Sequence, residues 1–208
     1  MRAKVIGLTL ASVLVPLGAV AAAGEAPSRA VAYVNPDTGT ATENADVDPD
    51  SSCESPDRRD KQQLSASGGS ENNVHVDACL FDEQGEPFDG MVTFESKGVG
   101  AISACPDPDQ MIAQVPQVLN GEKRAYAHDH DGDGRMDHCH QTGYQSKDSA
   151  GDLEYHVRVN NDTKAGKQQV IFCFDPEQDP AADASGQPQG HGCKDAAQKS
   201  KVKIRWVP

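Results

Sequence analysis

The chain has 208 residues, a formal net charge of −13 and only 5% aromatic residues. This acidity argues against nucleic-acid binding, because proteins that bind nucleic acid need a basic surface. With so few aromatic side chains, a core would have to be built mainly from Val, Ile and Leu with a few Phe.

The first 23 residues have the pattern of a secretory signal peptide. Arg2 and Lys4 form a charged start, Val5 to Val20 is apolar, and Ala21 to Ala23 offer a small-residue cleavage site. Because the apolar run is short and meets that site, a removed signal is favoured over a membrane anchor. We therefore expect a secreted, extracellular protein, or one associated with a cell wall, with no membrane insertion after signal removal.

Residues 24–64 are interpreted as an N-terminal extension that is partly irregular. Ala30 to Pro36 has strand character, and the segment that follows is rich in Asp, Thr and Ser, which is typical of a loop. The mature chain of about 185 residues is long enough for one domain with a real core.

Residues 65–208 show a succession of short strands and no convincing helical period. Apolar and polar residues alternate in Val74–Phe81 and in Leu153–Asn160, so one face of each strand is expected to be buried. Further strands are predicted at Met91–Ser96, Ala101–Cys105, Gln169–Asp175 and Lys201–Val207, and a loop at Gln178–Gly192. Strands without intervening helices predict an all-β fold, an antiparallel sandwich or barrel.

An acidic run between Ala127 and Gln141 has the spacing of a calcium loop. Asp129, Asp131 and Asp133 alternate and Gly134 follows. Three carboxylates this close repel one another unless a cation sits among them. Oxygen ligands at positions 1, 3 and 5 with glycine at 6 are typical of Ca²⁺ binding. The predicted ligands are the side chains of Asp129, Asp131 and Asp133, the backbone carbonyl of Arg135, and Asp137 either directly or through water.

Position 12 of this loop is His140, where an EF-hand places a bidentate Glu. The replacement removes two oxygens and one charge, so we expect a Kd on the order of 10⁻⁴ to 10⁻³ M, which suits extracellular calcium. Asp148 or Asp152 could complete the coordination. The alternative is a solvated acidic hairpin tip with Asp-Gly turns.

Two His-x-His pairs flank the acidic run: His128 with His130, and His138 with His140. Such a pair on a strand places both imidazoles on one face and could hold Zn²⁺, Ni²⁺ or Cu²⁺. Strand alternation alone produces the same pattern, and we favour polar residues on an exposed face. The other three histidines, His75, His156 and His191, are also expected to face solvent.

An even number of cysteines in an exported chain predicts disulfides, although sequence alone selects no connectivity. Sequential pairing is favoured: Cys53–Cys79, Cys105–Cys139 and Cys173–Cys193. The second bridge would bracket the acidic run, and the third would close a hairpin loop. The main rival is Cys79–Cys173, a bridge between two sheets, but both cysteines are out of phase with the apolar residues of their strands.

The stretch VHVDACLFDEQGEPFDGMVTFES, from Val74, resembles the opening of bacterial Ig-like domains of the invasin/intimin type (Big-1). In that family a strand, a D-x-x-G-x-P turn and a V-T-F strand follow in this order. TKAGKQQVIFCFD resembles the later T-x-A-G-x-x-x-V strand pair, and SKVKIRWV the closing strand. The resemblance covers Asn73 to Val207, apart from the Cys105–Cys139 insert and the Cys173–Cys193 loop.

The resemblance implies an Ig-like β-sandwich over residues 65–208, with the calcium-loop insert at 105–139, on an exported or surface protein of a bacterium. It implies no catalytic residues. The DxDxDGxxDxC run from Asp129 also resembles a single thrombospondin type 3 calcium repeat.

Motifs of enzyme chemistry such as GxSxG, HExxH or a Gly-rich phosphate loop are absent from the sequence, so we do not expect an enzyme. The expected function is that of a calcium-stabilised domain, a monomer, with a structural or adhesion role toward an unidentified surface protein or glycan. The alternatives are a carbohydrate- or protein-binding module that uses the loop end, and a transition-metal binder that uses the His-x-His pairs.

Overall fold

The computed structural model describes residues 26–35, 50–64, 73–105, 125–142, 146–147, 153–161, 164–174, 179–182, 188–189 and 192–208. The predicted signal peptide (residues 1–23), Asp148, Asp152 and His191 lie outside these ranges. No helix within them is long and apolar enough to cross a membrane.

The described residues form thirteen β-strands. In chain order these are β1 (Arg29–Asn35), β2 (Arg59–Gln63), β3 (Asn73–Phe81), β4 (Met91–Gly98), β5 (Ala101–Ala104), β6 (Ala125–His128), β7 (His138–Thr142), β8 (Ser146–Lys147), β9 (Leu153–Asn160), β10 (Gly166–Phe174), β11 (Asp179–Ala182), β12 (Pro188–Gln189) and β13 (Lys199–Val207).

Two sheets pack face to face as a sandwich, which confirms the all-β prediction. The first sheet has the order β1-β3-β9-β5, with β8 also paired to β9, and the second has the order β2-β13-β10-β4-β7-β6. The pairs are antiparallel with one exception in the described part, because β2 runs parallel to β13. The predicted antiparallel sandwich thus gains one parallel pair at this edge, where the chain crosses from β1 to the other sheet before it returns as β3.

The core lies between the sheets and is filled by alternate residues of each strand. In β13 the inward residues are Val202, Ile204 and Trp206, all buried, while the residues between them are exposed. Phe172 is central, with ring centroids 5.0 Å from Phe94 and 5.6 Å from Tyr155. Most of the core is otherwise aliphatic, as the composition predicted.

The outer face of the first sheet is covered as well, so β3 and β9 are not the half-exposed strands that alternation predicted. His75, Asp77 and His156 are only 5%, 0% and 0% exposed, and the expectation that the two histidines face solvent is wrong. Arg158 Nε donates to His75 Nε2 at 3.1 Å. These buried polar groups make hydrogen bonds within the protein instead of with water, and the Cys53–Cys79 disulfide lies on the same face.

Two strands that precede residue 65 are part of the sandwich. β1 pairs with β3 along seven residues, from Arg29 opposite Phe81 to Asn35 opposite His75, and β2 pairs with β13. Tyr33 donates to Glu154, and Asn35 donates to Asp77. Both strands lie in the region interpreted as an N-terminal extension. β1 belongs to the first sheet and β2 to the second.

Three disulfides form, and they are those of sequential pairing: Cys53–Cys79, Cys105–Cys139 and Cys173–Cys193, with Cα–Cα distances of 6.1, 5.6 and 5.6 Å. Cys79 and Cys173 lie on the outer faces of opposite sheets, which is why the rival bridge between them does not form. Three disulfides indicate an oxidising environment such as the extracellular space.

Within the predicted Gln178–Gly192 loop the structure adds a short hairpin, β11–β12, so that prediction is corrected.

Candidate metal centre

The acidic run forms the tip of the β6–β7 hairpin at the edge of the second sheet. The two strands pair from Ala125 opposite Gln141 to His128 opposite His138, and the loop between them starts at Asp129. Gly132 and Gly134 have φ angles of 78° and 88°, in the left-handed region that favours glycine. Glycine at these two positions lets the chain turn sharply within five residues.

The aspartates themselves hold the loop in shape. Asp129 Oδ1 accepts from the N–H of Gly132 and Asp129 Oδ2 from that of Gly134, each at 2.7 Å. Asp131 Oδ1 accepts from the N–H of Asp133 at 3.2 Å, and Asp133 Oδ1 from that of Arg135 at 2.8 Å. These bonds are of the kind by which Asp side chains stabilise turns. They use one oxygen of Asp131 and one of Asp133 and leave the second oxygen of each for a ligand.

The structure brings three of the predicted ligands together. Asp129, Asp131 and Asp133 each place a carboxylate oxygen so that the three atoms lie within 4.8 Å of one another. Asp131 and Asp133 are exposed, and Asp129 is half-buried. The backbone N–H of Gly134, followed by that of Gly132, holds the pKa of the Asp129 carboxyl below its usual range. The cluster is therefore a concentration of negative charge that could hold a metal ion.

Asp137 lies apart from this group and anchors the loop instead. Its Oδ1 accepts from the backbone N–H of His130 at 2.8 Å and lies 2.9 Å from His138 Nδ1. The guanidinium of Arg135 donates to the carbonyl of Val99 at 2.7 Å. The proposed role of the Arg135 carbonyl as a ligand stays a prediction.

His140, at position 12 of the loop, points into the protein. Its ring is fully buried, and Nδ1 lies 2.8 Å from the hydroxyl of Thr93 on β4. The position that supplies a bidentate carboxylate in an EF-hand thus has a packing role here, because β7 has already begun at His138.

The loop base is hydrogen-bonded to strands β4 and β5, which sequence reasoning missed. The carbonyl of Met136 accepts from the N–H of Ile102, and that of Asp137 accepts from the N–H of Ser96, each at 2.7 Å. The Cys105–Cys139 bridge ties the end of β5 to β7. Only the bracketing cysteines signalled this attachment in the sequence, since backbone bonds between distant segments leave no local pattern.

Two of the four histidines in these pairs, His138 and His140, do not lie on an exposed face, so the prediction is wrong for them. Both are buried, with ring centroids 5.9 Å apart, and the His138 ring lies 4.8 Å from that of the exposed His130. Within the described residues, whose limits leave out the side chain of His128, no cluster of metal-ligand atoms includes a histidine. Cys53, Cys79 and Glu154 also come close together, but the two sulfurs are joined in a disulfide.

Comparison with models of known protein families gave no match, and a search of curated proteins found no relative of the chain. The resemblance to Big-1 domains therefore rests on the residues of this sequence alone.

Proposed function

We propose that this protein is a non-catalytic, exported domain whose acidic loop binds Ca²⁺, and that the ion stabilises a structural or adhesive module. The observation that supports it is the gathering of Asp129, Asp131 and Asp133, with carboxylate oxygens within 4.8 Å of one another. A cation among them relieves their mutual repulsion and fixes the hairpin tip at the same time.

The chemistry of the donors favours calcium over a transition metal. The three groups are hard oxygen ligands, and Ca²⁺ is bound by carboxylates, carbonyls and water, whereas zinc and copper prefer imidazole or thiolate. The carbonyl of Arg135 and water are the proposed remaining ligands, with Asp137 reached through one of these waters. An exposed site with three gathered carboxylates is expected to be weak, which suits a compartment rich in calcium.

The order of strands supports an Ig-like module. In immunoglobulin folds a sheet of strands A-B-E-D faces one of G-F-C, which variable-type domains extend by C′ and C″. Here β1-β3-β9-β5 faces β13-β10-β4-β7-β6, with β2 beside β13. The module departs from that pattern in its disulfides and in its chain order: β6 precedes β7, and β5, in the D position, precedes both. We place it outside the cell, secreted or attached to a wall.

Thermal unfolding with and without calcium tests the proposal. Calcium at about ten times its Kd adds about 1.4 kcal/mol to the free energy of unfolding. For a domain of this size the melting temperature should then rise by about 3–5 °C. Magnesium serves as a comparison, since Mg²⁺ demands stricter octahedral geometry and sheds water reluctantly.

Two double variants make the test specific to the loop. Asp131→Asn with Asp133→Asn keeps the oxygens that accept backbone N–H groups but removes two charges, so the calcium shift should vanish. Glu83→Gln with Asp195→Asn removes two exposed charges elsewhere and should keep the shift. No shift in the wild type, or the same shift in both double variants, contradicts a calcium site at the loop.

A further inference from the structure

A group of six exposed cations lies close together on the outer face of the second sheet, although the chain as a whole has a net charge of −13. They come from four neighbouring strands, β2, β13, β10 and β4, and they line one groove of about 750 Å³. We call this surface the basic face; its cations are Arg59, Lys61, Lys97, Lys167, Lys203 and Arg205.

The strand register sets these cations in two adjacent rows. Lys61 lies opposite Arg205, and Arg205 lies opposite Lys167, so three cations stand side by side across three strands. In the next row Arg59 lies opposite Lys203, and Gln169 lies between Lys203 and Lys97. Neighbouring strands are about 5 Å apart, so the first row spans about 10 Å.

Such an arrangement works against the stability of the fold, because like charges directly opposite each other in a sheet repel. Two cations are relieved by neighbouring carboxylates: Lys97 Nζ is 2.8 Å from Glu95, and Arg59 Nε is 3.9 Å from Asp57. The other four cations make no ion pair with a carboxylate of the described residues. The row Lys61–Arg205–Lys167 therefore consists of three cations that have no carboxylate partner among the described residues.

We propose that the basic face binds a linear acidic polysaccharide, one that carries sulfate or carboxylate groups along an extended chain. Charges repeated along an extended chain match cations repeated along a row of strands, and Arg and Lys recognise carboxylate and sulfate through charge-assisted hydrogen bonds. Recognition by charge needs no aromatic platform, in keeping with the low aromatic content. This binding is independent of the calcium loop.

Other anionic partners fit the basic face less well. Binding to a membrane surface would need exposed apolar side chains beside the cations. In the described part of the chain the one well-exposed large hydrophobic residue is Met136, which lies in the acidic loop. Domains that bind nucleic acid are usually basic as a whole, whereas this chain has a net charge of −13 and its cations are confined to one face. Net negative charge likewise opposes the approach of a second copy.

The experiment measures binding of the full mature chain to immobilised heparin, which is sulfated, and to hyaluronan, which carries carboxylates, with neutral dextran as the blank. The expected result is binding to at least one acidic glycan and none to dextran, with affinity that falls as salt is raised. Lys61→Gln with Lys167→Gln should weaken binding by about tenfold. Lys164→Gln with Lys194→Gln removes two exposed cations outside the basic face and should leave affinity unchanged.

A stability measurement separates lost binding from lost folding. If the rows are kept for a ligand, the Lys61/Lys167 variant should melt at the same temperature as the wild type or higher, since it relieves repulsion. The proposal is overturned if neither glycan is bound, or if both double variants weaken binding equally. It is also overturned if vesicles containing phosphatidylserine, duplex DNA or a second copy of the chain bind more tightly than both glycans through the same lysines.

Discussion

Two glycines with similar backbone angles differ in what surrounds them. Gly98 at the end of β4 has φ 103°, and a Cβ added to it would lie 2.2 Å from the carbonyl oxygen of Lys167. Gly85 in the turn after β3 has φ 84°, but nothing lies within 4 Å of its added Cβ. Gly98 is required both for its left-handed backbone conformation and for the close approach of β4 and β10. Gly85 is required only for the conformation.

Gly98→Ala should therefore destabilise the protein far more than Gly85→Ala. The left-handed conformation alone costs a non-glycine residue about 1–2 kcal/mol, which is the loss expected at Gly85. At Gly98 the backbone of β10 must also shift, and a total loss of about 3 kcal/mol or more is expected. Urea unfolding followed by the fluorescence of Trp206, the single tryptophan, measures both; equal losses would show that the contact with Lys167 is easily relieved.

Asp129 is a residue whose contribution to stability should depend on pH. Its folded-state pKa is lowered by the N–H groups of Gly134 and Gly132, so its ionised form is favoured by folding. The stabilisation is fully present above the unfolded-state pKa of about 3.9, and it is lost as the pH falls through the lower folded value.

In the absence of calcium, the wild type should be more stable than Asp129→Asn at neutral pH, and the difference should close in acid below about pH 4. Urea midpoints measured for both proteins across this range provide the test. A difference that persists unchanged at the lowest pH would mean that the charge of Asp129 is not what stabilises the loop.

At the scale of elements, a chain of polar side chains connects β13, β10 and β4 inside the core. Trp206 Nε1 donates to Gln168 Oε1 at 2.8 Å, and Gln168 Nε2 donates to Ser96 Oγ at 2.9 Å. The Ser96 hydroxyl in turn lies 3.3 Å from the carbonyl of Gly100. All the donors are buried, so these bonds also fix the register of the three strands.

Gln168→Leu should cost about 1–3 kcal/mol, because the indole N–H of Trp206 is left buried without its acceptor. Gln169→Leu is the matched control: it is the same change one residue on, at a half-buried position of the outer face, and should stay within about 0.5 kcal/mol of the wild type. Denaturant unfolding reports both values. If both variants lose a similar amount of unfolding free energy, the hydrogen bonds of Gln168 do not contribute specifically to core stability.

At the scale of the whole molecule, the sandwich needs its first two strands. Val31, Ala32, Tyr33 and Val34 of β1 are all buried, and β2 completes the edge of the second sheet beside β13. Burying a large apolar side chain contributes about 1.5–3 kcal/mol, so β1 alone accounts for a sizeable part of the 5–15 kcal/mol by which a domain is typically stable.

A chain that begins at Ser65 should therefore fail to unfold cooperatively, while one that begins at Gly24 should show a single transition. Near-ultraviolet circular dichroism during heating distinguishes the two. Cys53→Ser with Cys79→Ser in the longer chain is the control for the lost bridge, and it should still unfold in one transition at a lower temperature. Cooperative folding of the shorter chain would show that the two strands are dispensable.

Sequence alone determined the features that depend on neighbours along the chain. Alternation placed β3, β4, β9, β10 and β13 and hence the all-β class, and the spacing of Asp129, Asp131 and Asp133 with Gly134 located the acidic loop. These signals are local, since strand period, turn chemistry and ligand spacing are all properties of short segments. For the cysteines the sequence favoured sequential pairing, and the structure selected it.

The tertiary structure alone decided what depends on distant segments meeting. Polar β2 gave no strand signal, yet it pairs in parallel with β13; His138 and His140, expected on an exposed face, are buried; and Asp137 anchors the loop instead of joining the carboxylate group. The basic face arises in the same way, because register brings Lys61, Arg205 and Lys167 side by side although they are far apart in sequence. Burial and register are properties of the assembled sheets, and no short stretch of sequence contains them.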